Sequence, residues 1–322
     1  MEHHTIEVDS NPRSSASDYE SVVSDTTSVS SSIFDYVFEN GHSYHSYRAG
    51  QYLLPNDESE QDRLDLQHHI FRLTLAGEIT ATKLEDPQRI LDVGTGTGIW
   101  AIDAGDIYPS AEVIGVDLSP IQPQWAPPNV KFEIDDLTQP WTFEQNSFDF
   151  IHVRTLGGSI RDWVTFLKEA QKHLKPGGRI EISEIRTRFH CDDGSLSEDT
   201  SSIKFERTFH EIAEKIGIDF DPMLNMRGWL NEAGYEEIQE TEKLIPIGTW
   251  PKDKKLKGIG MYYQVHYLTG IENYSMALFT RNGWKQEEVQ VLIAQVRSES
   301  LSNKFHAYTK AAFLSGRKPL EA

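Results

Sequence analysis

The chain has 322 residues, 38% of them apolar, enough to bury a sizeable core in one large domain or two ordinary ones. Its 50 acidic residues against 31 basic ones leave a formal charge of -19, which argues against sequence-independent binding to phosphate backbones, a term built from clustered Lys and Arg. The single cysteine, Cys191, excludes an internal disulfide and a four-thiolate metal site, and neither a signal-peptide pattern nor an apolar span of bilayer length occurs. An aqueous cytoplasmic address follows, with the nucleus as the alternative, and with no metal, membrane or nucleic-acid partner expected.

From Ser10 to Ser32, 12 of 23 residues are Ser or Thr, interspersed with acidic side chains. Such a segment buries too little apolar surface to offset its ordering entropy, so residues 1–42 are expected to be a disordered tail. The tail reads either as a solvated leader or as an arm that engages a protein partner after phosphorylation. After "PNDESE", whose acidic residues suit a helix N-terminus, Leu64, His68, Phe71 and Leu75 recur at the spacing of one helix face.

From Arg89 strands and helices alternate. Strands are predicted at 89–93, 112–117, 130–134, 148–154 and 179–185, and helices at 97–108 and 161–175. "LKPGGR" at 174–179 reads as a helix end and a Pro-Gly-Gly turn before the strand "RIEISEI". A helix pair over 203–234, a strand at 236–245, helices over 253–300 and a final strand within "KFHAYTKAAFLSGRKP" complete the chain. This alternation predicts an α/β fold, with a doubly wound, mostly parallel sheet and a helical insertion over 253–300 before the last strand.

The stretch "RILDVGTGTGIWAID" carries Gly94, Gly96 and Gly98 between a strand and a helix. It lacks the dinucleotide spacing and the lysine of a P-loop. What remains is either a tight structural turn or a loop whose bare backbone lets a ligand approach a helix N-terminus. Asp117 ends the next strand, near the offset at which a carboxylate meets ribose hydroxyls in doubly wound folds, and Asp135 and Asp136 end the third. Three consecutive strand ends carrying polar groups favour the ligand.

In order and spacing, "ILDVGTGTGIWAID", "VIGVDLS", "FEIDDL", "SFDFIHVR" and "LKPGGRIEISE" resemble the motifs of class I S-adenosylmethionine-dependent methyltransferases, with a seven-stranded Rossmann-like sheet. The segments "YLLPNDESEQDRLDLQHHIF", "IHVRTLGGSIRDW", "ALFTRNGWKQEEVQVLIAQVR" and "HAYTKAAFLSGRKP" extend the likeness, from about Ser43 to Pro319, to the fungal LaeA-like methyltransferases. The resemblance implies that Asp92, Gly94, Gly96 and Gly98 shape the loop around the methionine part of S-adenosyl-L-methionine. It further implies that Asp117 holds the ribose hydroxyls, and that Asp135 and the Asp136 backbone meet the adenine edge. It also makes Tyr47, Tyr52 and Asn56 candidates for contacts from a segment folded over the cofactor. The expected methyltransferase domain is 43–322, divided into an N-terminal cap region (43–85), a cofactor-binding core (86–250), a helical lid (251–300) and a final strand (301–322).

Methyl transfer needs alignment and exclusion of water, and a base only for acceptors such as hydroxyls. His152 and Arg154, at the end of the fourth strand, are the catalytic candidates. Each also has a plain structural reading, His152 as a satisfied core histidine and Arg154 as an ion-pair partner. In the lid, Tyr262, Tyr263, His266 and Tyr267 form either an aromatic acceptor pocket or ordinary packing. "FHCDDGSLSED" fits an irregular polar loop better than a metal site. The resulting expectation is transfer of a methyl group to an O or N atom of a small molecule in fungal secondary metabolism. The alternative is a LaeA-like nuclear regulator that works through partner proteins.

Overall fold

The computed structural model describes residues 6–9, 36–39, 42–45 and 57–320. The stretch from Ser10 to Ser32, most of the expected tail, lies outside these residues. Two short pieces within 1–45 are placed. Residues 6–9 run against residues 250–252, where the Asp9 N–H donates to the Trp250 carbonyl and the Lys252 N–H to the Glu7 carbonyl, both at 2.8 Å. Strands β1 (Tyr36–Glu39) and β2 (His42–His45) form an antiparallel hairpin.

Helix α1 (Glu58–Thr74) starts at Asp57, whose carboxylate accepts the Glu60 N–H at 3.0 Å, with Glu58 and Glu60 in the first turn where the helix dipole favours negative charge. Strands β3 (Arg89–Val93), β4 (Glu112–Asp117), β5 (Val130–Ile134) and β6 (Phe148–Arg154) fall on the predicted ranges. Helices α2 (Ile99–Ile107) and α3 (Trp163–His173) connect some of them. Strand β7 (Leu174–Ile185) begins earlier than expected. The Pro-Gly-Gly stretch stays paired through a bulge: Leu174 pairs with Phe148, and the Gly177 N–H donates to the Lys318 carbonyl at 3.0 Å.

The chain continues through α4 (Ser201–Lys215), α5 (Met223–Glu232), β8 (Glu236–Pro246), α6 (Lys254–Arg281), α7 (Gln286–Leu301) and β9 (Tyr308–Arg317). The seven-stranded sheet has the order β5-β4-β3-β6-β7-β9-β8. Strands β5 to β7 are parallel, and β9 inserts antiparallel between β7 and β8. The parallel strands leave the sheet at one edge, so the loops after β3, β4, β5 and β6 converge there. Strand β8 is an edge, and its "EEIQETEK" run turns charge outward, which blocks edge-to-edge pairing.

Both faces of the central strands are covered, so they read as continuous apolar runs. Leu91, Ile151, Ile180 and Ile182 pack under α3 and α5 on one face. Ile90, Val113 and Phe150 pack under Trp100, Ala101 and Ala104 of α2 on the other. A separate core joins the insertion to α4, where Phe205 and Phe209 meet Phe279 of α6 and Leu292 and Val296 of α7. The expected lid is therefore a helical layer with a core of its own, between β8 and β9. No helix among the described residues is long and apolar enough to cross a membrane.

Phe279 is fully buried and stacks on Phe205 with ring centroids 5.6 Å apart. Replacing Phe279 with Ala leaves a cavity in this second core and is expected to lower unfolding free energy by about 3–5 kcal/mol, read by urea denaturation.

Candidate functional site

The glycine loop follows from its backbone. Gly94 sits at φ +70° and Gly96 at +57°, conformations in which a side chain is strained. The Gly94 and Thr95 N–H groups both donate to the Val116 carbonyl, at 2.9 and 3.0 Å, which folds the loop back over β4. Beneath it, Asp92 is 2% exposed. Its carboxylate accepts the Thr95 hydroxyl at 2.6 Å and the His152 Nδ1–H at 2.7 Å.

Asp117 closes the loop from the neighbouring strand: Oδ2 accepts the Gly96 N–H at 2.8 Å and Oδ1 the Ser119 N–H at 2.9 Å. Burial raises its carboxyl above the ordinary range, opposed by these two N–H donors. At the end of β5 the exposed Asp135 turns back, its Oδ1 accepting the Asp136 N–H at 2.8 Å, while Asp136 Oδ1 accepts the Thr138 hydroxyl at 2.6 Å.

Gly94, Gly96, Asp117, Asp135, Asp136 and Arg154 line one cavity, together with Leu64 of α1 and Thr155, Leu156 and Ser159 of the loop after β6. Asp92 and Gly98 lie behind it. A Cβ on Gly98 would come within 2.5 Å of the Phe132 ring, so that glycine serves close packing of α2 on the sheet. Tyr47, Tyr52 and Asn56 lie outside the described residues.

The two catalytic candidates part company. His152 is 1% exposed, stacks on Trp100 at 3.7 Å between ring centroids, and lines neither this cavity nor the aromatic one beside it. Burial holds its imidazole below the ordinary value although Asp92 faces it. Its geometry is that of a satisfied core histidine, because its register in β6, opposite Asp92, points it between sheet and α2 rather than at the loop edge.

Arg154 reaches the cavity. One guanidinium N–H donates to His68 Nδ1 at 3.0 Å, and the group lies over the Phe71 ring at 5.3 Å. Arginine only donates, so His68 Nδ1 accepts and its Nε2–H goes to Asp103, 2.9 Å away, a neutral tautomer chosen by its neighbours. Burial lowers Arg154 to about 10, opposed by Asp92, Asp103 and Asp65, which leaves it cationic at neutral pH.

A second cavity lies beside the first, and Thr155 and Tyr274 line both. Three of the four aromatic-stripe candidates are in its wall: Tyr263, His266 and Tyr267. Tyr262 instead faces outward against His69. Between α1 and α6, Glu60 and Arg63 pair at 2.5 Å, Asn273 Nδ2–H donates to Glu60 Oε2 at 2.8 Å, and Arg63 stands against His266. Sequence reasoning missed Arg63, Glu184 and Thr155. The available signals were two glutamates, Glu181 and Glu184, in the buried strand "RIEISEI", and a β-branched residue where the β6 loop turns. Thr155 adopts φ +52°, a strained conformation for a β-branched residue and of the kind that clusters at functional sites.

The fold and site define an α/β protein with a doubly wound sheet, whose strand ends build a half-polar cavity beside an aromatic one. The methyltransferase domain family model matches residues 66–240. The chain is 42% identical over 300 residues to the methyltransferase pytC of Aspergillus terreus, covering 92% of each. It is 38% identical over 289 residues to a secondary metabolism regulator of Cochliobolus heterostrophus (87% of this chain, 94% of the relative). It is 36% identical over 285 residues to the protein-methionine methyltransferase laeA of Emericella nidulans (88% and 76%). The chain belongs to the methyltransferase domain family, in the branch that holds pytC and the LaeA regulators.

His68, His152 and His266 all have pKa values lowered from the ordinary 6.5, burial being the largest cause in each. The unfolded chain therefore binds protons that the folded chain refuses, and stability falls as pH drops below about 6.5, by up to about 1.4 kcal/mol per histidine per pH unit. Urea denaturation at descending pH checks this, and replacing His68 with Gln is expected to remove part of the slope.

Proposed function

We propose that the first cavity binds S-adenosyl-L-methionine and that the protein transfers its methyl group to an O or N atom of a small molecule held in the second. The observation that carries this reading is the wall the two cavities share at Thr155 and Tyr274. The charge in the first cavity fits the cofactor: Asp117, Asp135 and Asp136 outnumber Arg154, suiting a ligand with ammonium and sulfonium cations and one carboxylate. The cofactor supplies an activated methyl and a neutral leaving group, so the chain's own work is to bind, align and keep water out.

In this reading Asp117 exchanges the Gly96 N–H for the ribose hydroxyls, donors that offset the burial of its carboxylate. Asp135 turns outward and frees the Asp136 N–H for the adenine edge. Arg154, cationic and braced by His68, meets the methionyl carboxylate. Asp92 and His152 support the loop from behind, and Gly98 keeps α2 close. Tyr52 and Asn56 would add contacts from the segment before α1. The unit that does this runs from residue 43 to 322, in the subdivision expected from the sequence.

A second reading is supported by the relatives named as regulators of secondary metabolism: a nuclear protein with a protein acceptor, reached through partners that bind the N-terminal tail. Deleting the gene separates the two. One accumulated unmethylated intermediate supports the biosynthetic enzyme, and broad change across many metabolites supports the regulator.

Replacing Asp117 with Ala is expected to weaken S-adenosylmethionine binding at least tenfold, about 1.4 kcal/mol or more, by isothermal calorimetry on the full chain. Unchanged affinity sinks the cofactor assignment.

A further inference from the structure

The second cavity has a wall chemistry that narrows its ligand. Phe189, Phe205, Phe209 and Phe220 form one side, and Tyr263, Tyr267 and Tyr274 of α6 form another. Phe205 and Phe209 lie nearly parallel, at 20° and 6.1 Å between centroids, so the site presents flat apolar faces. The hydroxyl of Tyr267 is buried with no hydrogen-bond partner among the described residues, an orphan that a polar substituent on a ligand would satisfy.

The charges around the cavity are paired. Arg63 from α1 is held by Glu60. Arg186 Nε reaches Asp221 at 2.5 Å, and Arg186 also meets Glu242. Glu206 from α4 accepts the Phe189 N–H at 2.6 Å and pairs with Arg188. Among the described residues, the arginines of the wall, Arg63 and Arg186, are thus both paired, which disfavours an anionic acceptor.

Glu184 is the exception. It is 5% exposed at the end of β7, and its Oε1 accepts the Gly157 N–H at 2.9 Å. Its polar partners are the backbone N–H groups of Leu156 and Gly157, and among the described residues no side-chain cation forms an ion pair with it. From the loop before α5, Asp219 and Asp221 repel its charge, and Tyr274 approaches it from α6. Gly157 is two residues past Thr155, so the carboxyl stands close to the wall shared by both cavities.

We propose that Glu184 is the general base of the transfer, and that the acceptor is an uncharged, flat aromatic compound whose hydroxyl group lies against it. This rests on the methyltransferase reading and adds the acceptor class. The hydroxyl proton passes to the Glu184 carboxylate while the oxygen bonds to the methyl carbon and the carbon–sulfur bond breaks. The products are a methyl ether, a neutral thioether and protonated Glu184. Burial, followed by the nearby aspartates, lifts the Glu184 carboxyl to about 8 against the N–H groups that lower it, close to the working range of a general base.

The test uses 2-naphthol as probe on the full chain. By calorimetry without cofactor, 2-naphthol is expected to bind at least about tenfold more tightly than 2-naphthoate, which has similar rings but carries a charge. Absent 2-naphthol binding, or equal affinity for the two, overturns the acceptor class. With labelled S-adenosylmethionine, methylation of 2-naphthol is expected to rise with pH up to about pH 8, because only ionised Glu184 accepts the proton. Glu184→Gln, which still accepts the Gly157 N–H, is expected to lower the rate by about 100-fold or more and to flatten the profile. Glu184→Asp keeps the rise. S-adenosylmethionine affinity within about threefold of the native chain reports that the variants are folded. A Gln variant with native rate and native pH profile overturns the assignment of Glu184, while failure of the native chain to bind S-adenosylmethionine overturns the broader reading instead.

Discussion

The buried pair of Glu60 and Arg63, both on α1, meets α6 through Asn273 and His266, and both cavities lie beside that junction. Arg63 is enclosed by Glu60, His266 and Tyr274, and Asn273 completes the satisfaction of Glu60. Removing one member of such a pair strands a charge in low dielectric, so the junction constrains where α1 sits rather than simply adding stability. With α1 placed, Leu64 faces the glycine loop, His68 braces Arg154, and the Thr97 hydroxyl finds Asp65 at 2.6 Å. With α6 placed, three tyrosines and His266 face the end of β7.

The end of β6 is where these constraints meet. Arg154 leans toward α1, Thr155 turns through a strained conformation, and the next two residues give their backbone N–H groups to Glu184. A carboxyl buried among aromatic rings and held only by neutral donors stays largely protonated at neutral pH. The same enclosure that forms the aromatic cavity therefore sets the proton affinity of the group beside it.

Much of the fold was legible because a parallel sheet buried on both faces writes itself as apolar runs broken by turns. Residues 89–93 and 148–154 needed no knowledge of their partners. The start of β7 was not legible, because Pro176 and Gly177 look like a turn locally and are kept in register by the pairing of Leu174 with Phe148 and by the Lys318 backbone, 141 residues beyond Gly177. In the site, Asp117, Asp135 and Asp136 could be found because each ends a strand. Glu184 could not, since one more polar residue in a strand has no meaning until its neighbours are known. His152 lies outside both cavities for the reverse reason: at a strand end a histidine looks reactive, yet the register with β3 turns it toward Asp92 and Trp100.

The sequence by itself determined the α/β class, the glycine loop and the acidic strand ends, because these depend on periodicity and on backbone conformation within a few residues. Only the tertiary structure decided which face of α6 meets the β7 end, why Arg154 rather than His152 reaches the cavity, and that a half-polar and an aromatic space share a wall at Thr155 and Tyr274. Those outcomes depend on pairs such as Glu60 with Asn273 and Arg154 with His68, 213 and 86 residues apart. Burial and charge compensation between such distant groups exist only once the chain has packed.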